Sequence, residues 1–174
     1  HGTEVVYATP GYFETMRIPI LGGRGLLTSD TPQSVKVAVV SQSFAARWFH
    51  GSQAVGRHLS IEGTPMEIVG TVGDVQQHSG LNGKLGPISI EPTVYVPASQ
   101  TSGGFFKVIH VWFSPKWVIR TSGATGNLTA QVQRAIAAID SQLPIAGFKT
   151  VDDLQGVYTR DQRYLASLFS ILAG

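Results

Sequence analysis

Twenty Gly and nine Pro break this 174-residue chain into short runs, and the runs between them are mostly β-branched or aromatic. Gly gives up more backbone freedom on ordering than any other residue, and Pro removes a backbone donor, so both end elements rather than extend them. The pattern predicts many short strands and few helices. Residues 3–8 (TEVVYA) are strand-like, and Pro10 and Gly11 separate them from a turn or two of helix over 12–17, which Pro19 stops. Gly22, Gly23 and Gly25 make a corner, and residues 29–33, with Asp30 and Pro32, make a polar loop.

The apolar run 35–40 has strand length, and Ser41 or Ser43 can cap a helix over 42–49 by accepting a bond from an orphan N–H. Residues 57–62 alternate polar and apolar, 63–65 turn, and 66–75 form a longer strand, which together read as a hairpin. The glycine clusters GGRG (22–25) and GTVG (70–73) lack the spacing of a phosphate-cradling loop and read as turns or bulges. Residues 76–92 show little periodicity and are too long for an ordinary connection, which marks a mobile or functional segment. Strands resume at 93–96, 105–113 and 117–121.

The clearest helical period lies in 127–143, where Leu128, Val132, Ala135, Ile136, Ile139 and Leu143 share one face before Pro144 ends it. With a strand before it at 117–121 and another after it at 146–151, this predicts a strand–helix–strand crossover packed on a sheet. Residues 160–174 start with Arg160, Asp161 and Arg163 and then turn apolar. They suit either a docked C-terminal helix or the first turns of a membrane helix with its basic residues at the water boundary.

Composition narrows the chemistry. Charged residues make up 14% of the chain and the formal charge is +2, with no concentration of Lys and Arg of the kind a nucleic-acid surface needs. The absence of Cys excludes disulfides, thiolate metal sites and thiol nucleophiles. The five histidines include no pair at the four-residue spacing that sets two ligands on one helical face. Asp74, His78 and Ser79 are the residues from which a small hydrolase could build a relay, although neighbouring side chains in extended backbone point apart. Trp48, Trp112 and Trp117 with Phe105, Phe106 and Phe113 could line the pocket of a ligand-binding or sensor module, or simply fill a core. Asn127-Leu128-Thr129 matches a glycosylation acceptor in form only.

Beyond these readings the order of segments resembles one family, the MacB-like periplasmic core domain of ABC transporter permeases, including the group with duplicated core domains. The matching stretches are YFETMRIPILGGRG (12–25), VAVVSQSFAARWF (37–49), AVGRHL (54–59), EIVGTVGDV (67–75), VYVP (94–97), WVIRTSG (117–123) and VQRAIAAIDSQLPI (132–145). The resemblance implies an α+β fold of two lobes. A porter-like α/β lobe, its front part missing or cut short, takes residues 1–20 and 115–159, and an inserted β-rich lobe known as Sabre takes 21–114. Residues 160–174 would then begin a second transmembrane helix, truncated here.

The same resemblance implies a non-catalytic, extracytoplasmic part of a bacterial inner-membrane permease subunit, serving transport or efflux. Its role would be to couple cytoplasmic ATP hydrolysis to movement of a substrate or partner protein outside the membrane. The implied partners are a second permease subunit or pseudo-repeat half, a cytoplasmic ATP-binding subunit or domain reached through the membrane helices, and an extracytoplasmic adaptor protein. No nucleic acid, metal, cofactor or catalytic residue is implied.

Overall fold

In the computed structural model, residues 3–50, 53–78, 88–101, 116–123, 126–142 and 147–154 are described, with the backbone alone at Gln77, His78 and Ile88. The chain divides into two units, His1–Arg120 and Thr121–Gly174.

The first unit is built on a mixed six-stranded sheet. Its strands are β1 (Glu4–Ala8), β2 (Ile20–Gly23), β3 (Val37–Ser41), β4 (His58–Ile61), β5 (Thr64–Val72) and β8 (Thr93–Pro97), in the order β1-β8-β3-β5-β2 with β4 also on β5. The pairs β1–β8 and β3–β5 are parallel, and the pairs β3–β8, β2–β5 and β4–β5 are antiparallel. A separate ladder of three residue pairs joins β6 (Gln76–His78) to β7 (Ile88–Ile90). Helix α1 spans Tyr12–Met16 and α2 spans Gln42–Phe49.

Every residue of β3 and β8 is buried. A strand covered on both faces reads as a continuous apolar run rather than an alternation, which is why VAVVS and TVYVP carry no polar face. On one side Ala38, Val40, Met66, Ile68, Val94 and Val96 pack with Phe44 of α2. On the other, Ala8, Val39, Val72 and Tyr95 pack with Phe13 of α1 and with Ile18 and Leu26. Phe13 is fully buried and meets Tyr95 edge to face at 5.0 Å.

A bulge reconciles β5 with these two faces. Ala38 stands opposite Ile68 but Val39 stands opposite Gly70, so Val69 is the extra residue. Side chains shift by one beyond it: Met66 and Ile68 serve the α2 face, while Val69 and Val72 serve the other. Here the GGRG and GTVG clusters meet, since Arg24 N–H bonds to the Val69 carbonyl at 2.9 Å and Gly73 N–H to that of Pro19 at 2.9 Å. The bulge reading of the glycines holds, but the corner expected at 22–25 is in part strand, with β2 ending at Gly23.

Helix α1 ends in a Schellman motif. Ile18 N–H bonds to the Phe13 carbonyl at 2.8 Å and Arg17 N–H to that of Glu14 at 3.2 Å, with Arg17 left-handed at φ 57°. Ile18 and Phe13 pack together in the same cluster, the apolar contact that accompanies this cap. Arg120 donates from Nε to the Thr15 carbonyl at 2.6 Å, placing a cation at the negative end of the helix.

The described ends of the segment 76–92 form the β6–β7 ladder. Three expectations are corrected. Residues 117–121 belong to no strand, and Trp117 is 81% exposed; no described neighbour completes a ladder with them. In the second unit the helix α3 runs only over Leu128–Ala137, short of Leu143, and buries no residue. Ile139, beyond the end of the helix, is 88% exposed. The strand expected at 146–151 is absent over 147–150, and residues 151–154 are helical. The reason is a reciprocal capping box: Thr150 Oγ1 accepts from Asp153 N–H at 3.0 Å, and Asp153 Oδ2 accepts from Thr150 N–H at 3.1 Å.

β1, which the resemblance groups with one lobe, hydrogen-bonds along its length to β8, which it groups with the other. Residues 105–113 and 160–174 lie outside the described residues.

Candidate functional site

The corner where β3 becomes α2 concentrates polar structure in an otherwise apolar domain. Ser41 is the N-cap: its Oγ accepts from Phe44 N–H at 3.2 Å, which answers the open choice between Ser41 and Ser43. The same oxygen accepts from Thr93 N–H at 3.0 Å. With two acceptor positions occupied, the Ser41 proton is left for the Ser43 hydroxyl, 3.0 Å away. Asp74 then satisfies the next orphan donor, its Oδ1 accepting from Ser43 N–H at 2.8 Å. A carboxylate at a helix N-terminus is further favoured by the helix dipole.

This geometry fixes the place of the sequence candidates. Asp74 serves the start of α2, 31 residues away in sequence. His78 stands opposite Ile88 in the β6–β7 ladder, and Ser79 lies outside the described residues. Among the described residues, therefore, no relay is assembled from the three. Trp48 is half-exposed on α2, stacked on Phe44 at 4.3 Å and covered by Arg47 at 5.0 Å. Trp48 and Trp117 are both open to solvent, while Phe105, Phe106, Trp112 and Phe113 lie outside the described residues. No group of three His, Cys, Asp or Glu that could hold a metal ion occurs among the described residues.

A second polar assembly was not legible in the sequence. Arg24 grips Asp30 with two bonds of 2.9 Å, and Asp30 Oδ2 also accepts from Leu27 N–H at 2.8 Å. Burial alone would push the Asp30 carboxyl up, but the Arg24 guanidinium and the Leu27 N–H outweigh it and hold it below its ordinary value. Gln100 ties the other side of the same loop. Its Oε1 accepts from Val37 N–H at 2.9 Å, and its Nε2 donates to Ser34 Oγ at 2.9 Å, the Val35 carbonyl at 2.8 Å and the Thr31 carbonyl at 3.2 Å. These groups are 63 to 69 positions apart, so no local spacing announces them.

Electrostatics on the Tyr95 face favour neutral groups. Burial raises the Tyr95 phenol far above its ordinary value, helped by Tyr12, Glu4 and Asp74. Glu4 is raised by burial and then by the charge of Glu91. A phenol held this far up is neither a base nor a nucleophile near neutral pH.

The model of the MacB-like periplasmic core domain matches residues 1–140, and the chain belongs to this family. Among solved structures it is similar to the periplasmic region of MacB from Actinobacillus actinomycetemcomitans, with a TM-score of 0.50 and 15% identity over 78% of this chain and 56% of that one. It is also similar to the extracellular domain of the ABC-type transporter YknZ from Gram-positive bacteria, with a TM-score of 0.47 and 15% identity over 79% of this chain and 64% of that one. No protein of curated function matches. At these identities the MacB likeness is one of fold, a mixed α/β domain with a six-stranded sheet and few helices among the described residues. The chain spans a little over half of the MacB region and less than two thirds of the YknZ domain. Among the described residues no helix is long and apolar enough to cross a membrane.

Proposed function

We propose that this chain is the extracytoplasmic, non-catalytic part of an ABC transporter permease subunit, and that it carries motion generated by ATP hydrolysis in the cytoplasm to a substrate or partner protein outside the membrane. The observation that carries the proposal is the family match over residues 1–140. Transmission of this kind needs two arrangements of different free energy and an element stiff enough not to absorb the motion. The first unit suits that requirement, because a sheet filled on both faces and loops pinned by Ser41, Asp30 and Gln100 deform little.

The partners follow from the same reading: a cytoplasmic ATP-binding subunit or domain, a second permease subunit or pseudo-repeat half, and an extracytoplasmic adaptor. The two-lobed architecture enters in modified form. The pairing of β1 with β8 supports grouping residues 4–20 with the inserted Sabre-like lobe, which leaves the porter-like share to the C-terminal unit.

Location is tested by labelling. Thr28 is exposed in the loop after β2, and this sequence contains no Cys. In the intact protein with any flanking cysteines replaced, Thr28→Cys reacts with a membrane-impermeant maleimide on spheroplasts. Reaction only after permeabilisation would contradict an extracytoplasmic position.

A further inference from the structure

The β6–β7 ladder has only three residue pairs and joins no other strand of the sheet among the described residues. A two-stranded ladder of that size is marginal by itself in water. Its two ends are nevertheless held. The chain leaves β5, which flanks β3 on one side, passes through the hairpin, and enters β8, which flanks β3 on the other. The connection thus straddles the point where β3 turns into α2. Asp74, before β6, accepts from Ser43 N–H, and Thr93, after β7, donates to Ser41 Oγ. Val75 adds a partly buried apolar foot beside the first of these anchors.

We infer that the β6–β7 hairpin and the first turn of α2 form one cooperative unit, latched at Ser41 and Asp74, so that a load on the hairpin is delivered to α2 and loosening either end loosens the other. Ser41 is the centre of the latch because one oxygen serves the helix through Phe44 and the outgoing strand through Thr93. An ordinary N-cap stabilises only its own helix. Here the bond from Thr93 couples the cap to a segment 52 positions away. Segments that share such anchors open together rather than independently. This goes beyond the proposed function, whose labelling test has a separate readout.

Hydrogen exchange on the intact protein, read from overlapping peptides, tests the latch. Ser41→Ala is expected to speed exchange at least about fivefold both at Ser43 and Phe44 and in the strands Gln76–His78 and Ile88–Ile90. Asp74→Asn, a change at an exposed side chain, is expected to move the same two regions to a smaller extent and decides the matter if Ser41→Ala does not fold. Asp30→Asn weakens the loop after β2 without touching α2 or either anchor and is expected to leave both the hairpin and the start of α2 unchanged. Acceleration in α2 with an unaltered hairpin in both latch variants would overturn the inference. So would an Asp30→Asn protein whose hairpin opens as readily as theirs.

Discussion

Gly70 of β5 lies against Arg24 so closely that a side chain at position 70 would run into the Arg24 carbonyl oxygen. The relationship is mutual across the bulge, because a Cβ on Gly23, at φ 66°, would overlap the Val69 carbonyl oxygen. Backbone meets backbone here, so no flexible side chain can yield. Gly70→Ala is therefore expected to destabilise the domain by about 2 kcal/mol or more, as overpacking does elsewhere. Gly22, in the same strand β2, has open space around it, and Gly22→Ala is expected to stay within about 0.5 kcal/mol of the parent. Urea unfolding of both variants checks the contrast, and equal midpoints would remove the close approach from the account.

The Arg24–Asp30 pair gives an acid limb to stability. The Asp30 carboxyl is held below its ordinary value, so it contributes stability above the unfolded value of about 3.9, and that contribution is lost as pH falls through the folded value. Arg24 is more than a third exposed, which limits the pair's worth through solvent screening. Asp30→Asn is expected to cost about 1–2 kcal/mol at pH 7 and to flatten the decline below pH ~4, since charge-assisted bonds are lost. Thermal unfolding of both proteins from pH 7 to 2.5 isolates the residue, because Glu4 and the other carboxylates are common to the two. Parallel curves would contradict the assignment.

At Arg17 the sequence carries a removable strain. A left-handed non-glycine residue costs roughly 1–2 kcal/mol, and Gly brings an extra unfolded-state entropy of roughly 0.5–1 kcal/mol. The difference predicts that Arg17→Gly stabilises the domain by about 0.5–1 kcal/mol, since Arg17 stands at φ 57° in the Schellman cap and is exposed. A lowered melting temperature would show that the Arg17 side chain does more than occupy the position.

Alkali should act through the tyrosines. Tyr95 and Tyr12 are both raised, first by burial, so the stability that their neutral forms confer is complete below the unfolded value of about 10 and is lost as pH rises towards the folded values. Tyr95→Phe is expected to unfold less readily than the parent above pH ~10 and to match it within about 1 kcal/mol at pH 7. Unfolding monitored by circular dichroism between pH 8 and 12 makes the comparison, and an unchanged alkaline limb would rule Tyr95 out as its source.

What could be read in the sequence follows the range of the interactions. The helix Gln42–Phe49 and its serine cap are local, and the apolar runs of β3 and β8 announce strands buried on both faces. The double duty of Ser41 was hidden, because its bond to Thr93 exists only once β3 and β8 pair. Gln100 reaches the loop at 31–37 across more than sixty positions and carries no motif. At 150–154 β-branched Thr150 and Val151 suggested a strand, and the capping pair Thr150–Asp153 overrode them. The stripe from Leu128 to Leu143 has helical period and the helix takes only its part up to Ala137, since periodicity reports which residues share a face, not where a helix ends.

Under the proposed function, nucleotide chemistry on one side of the membrane changes this domain on the other. Hydrogen exchange across residues 1–174 of the intact permease, reconstituted in nanodiscs with its cytoplasmic ATP-binding subunit or domain, measures it directly when the nucleotide-free and ATP–vanadate-trapped states are compared. Exchange within this chain is expected to change in the assembled transporter, and to stay as it was when ATP is added to the chain in isolation. Identical exchange in the nucleotide-free and trapped states, or a direct response of the isolated chain to ATP, would overturn the proposed coupling.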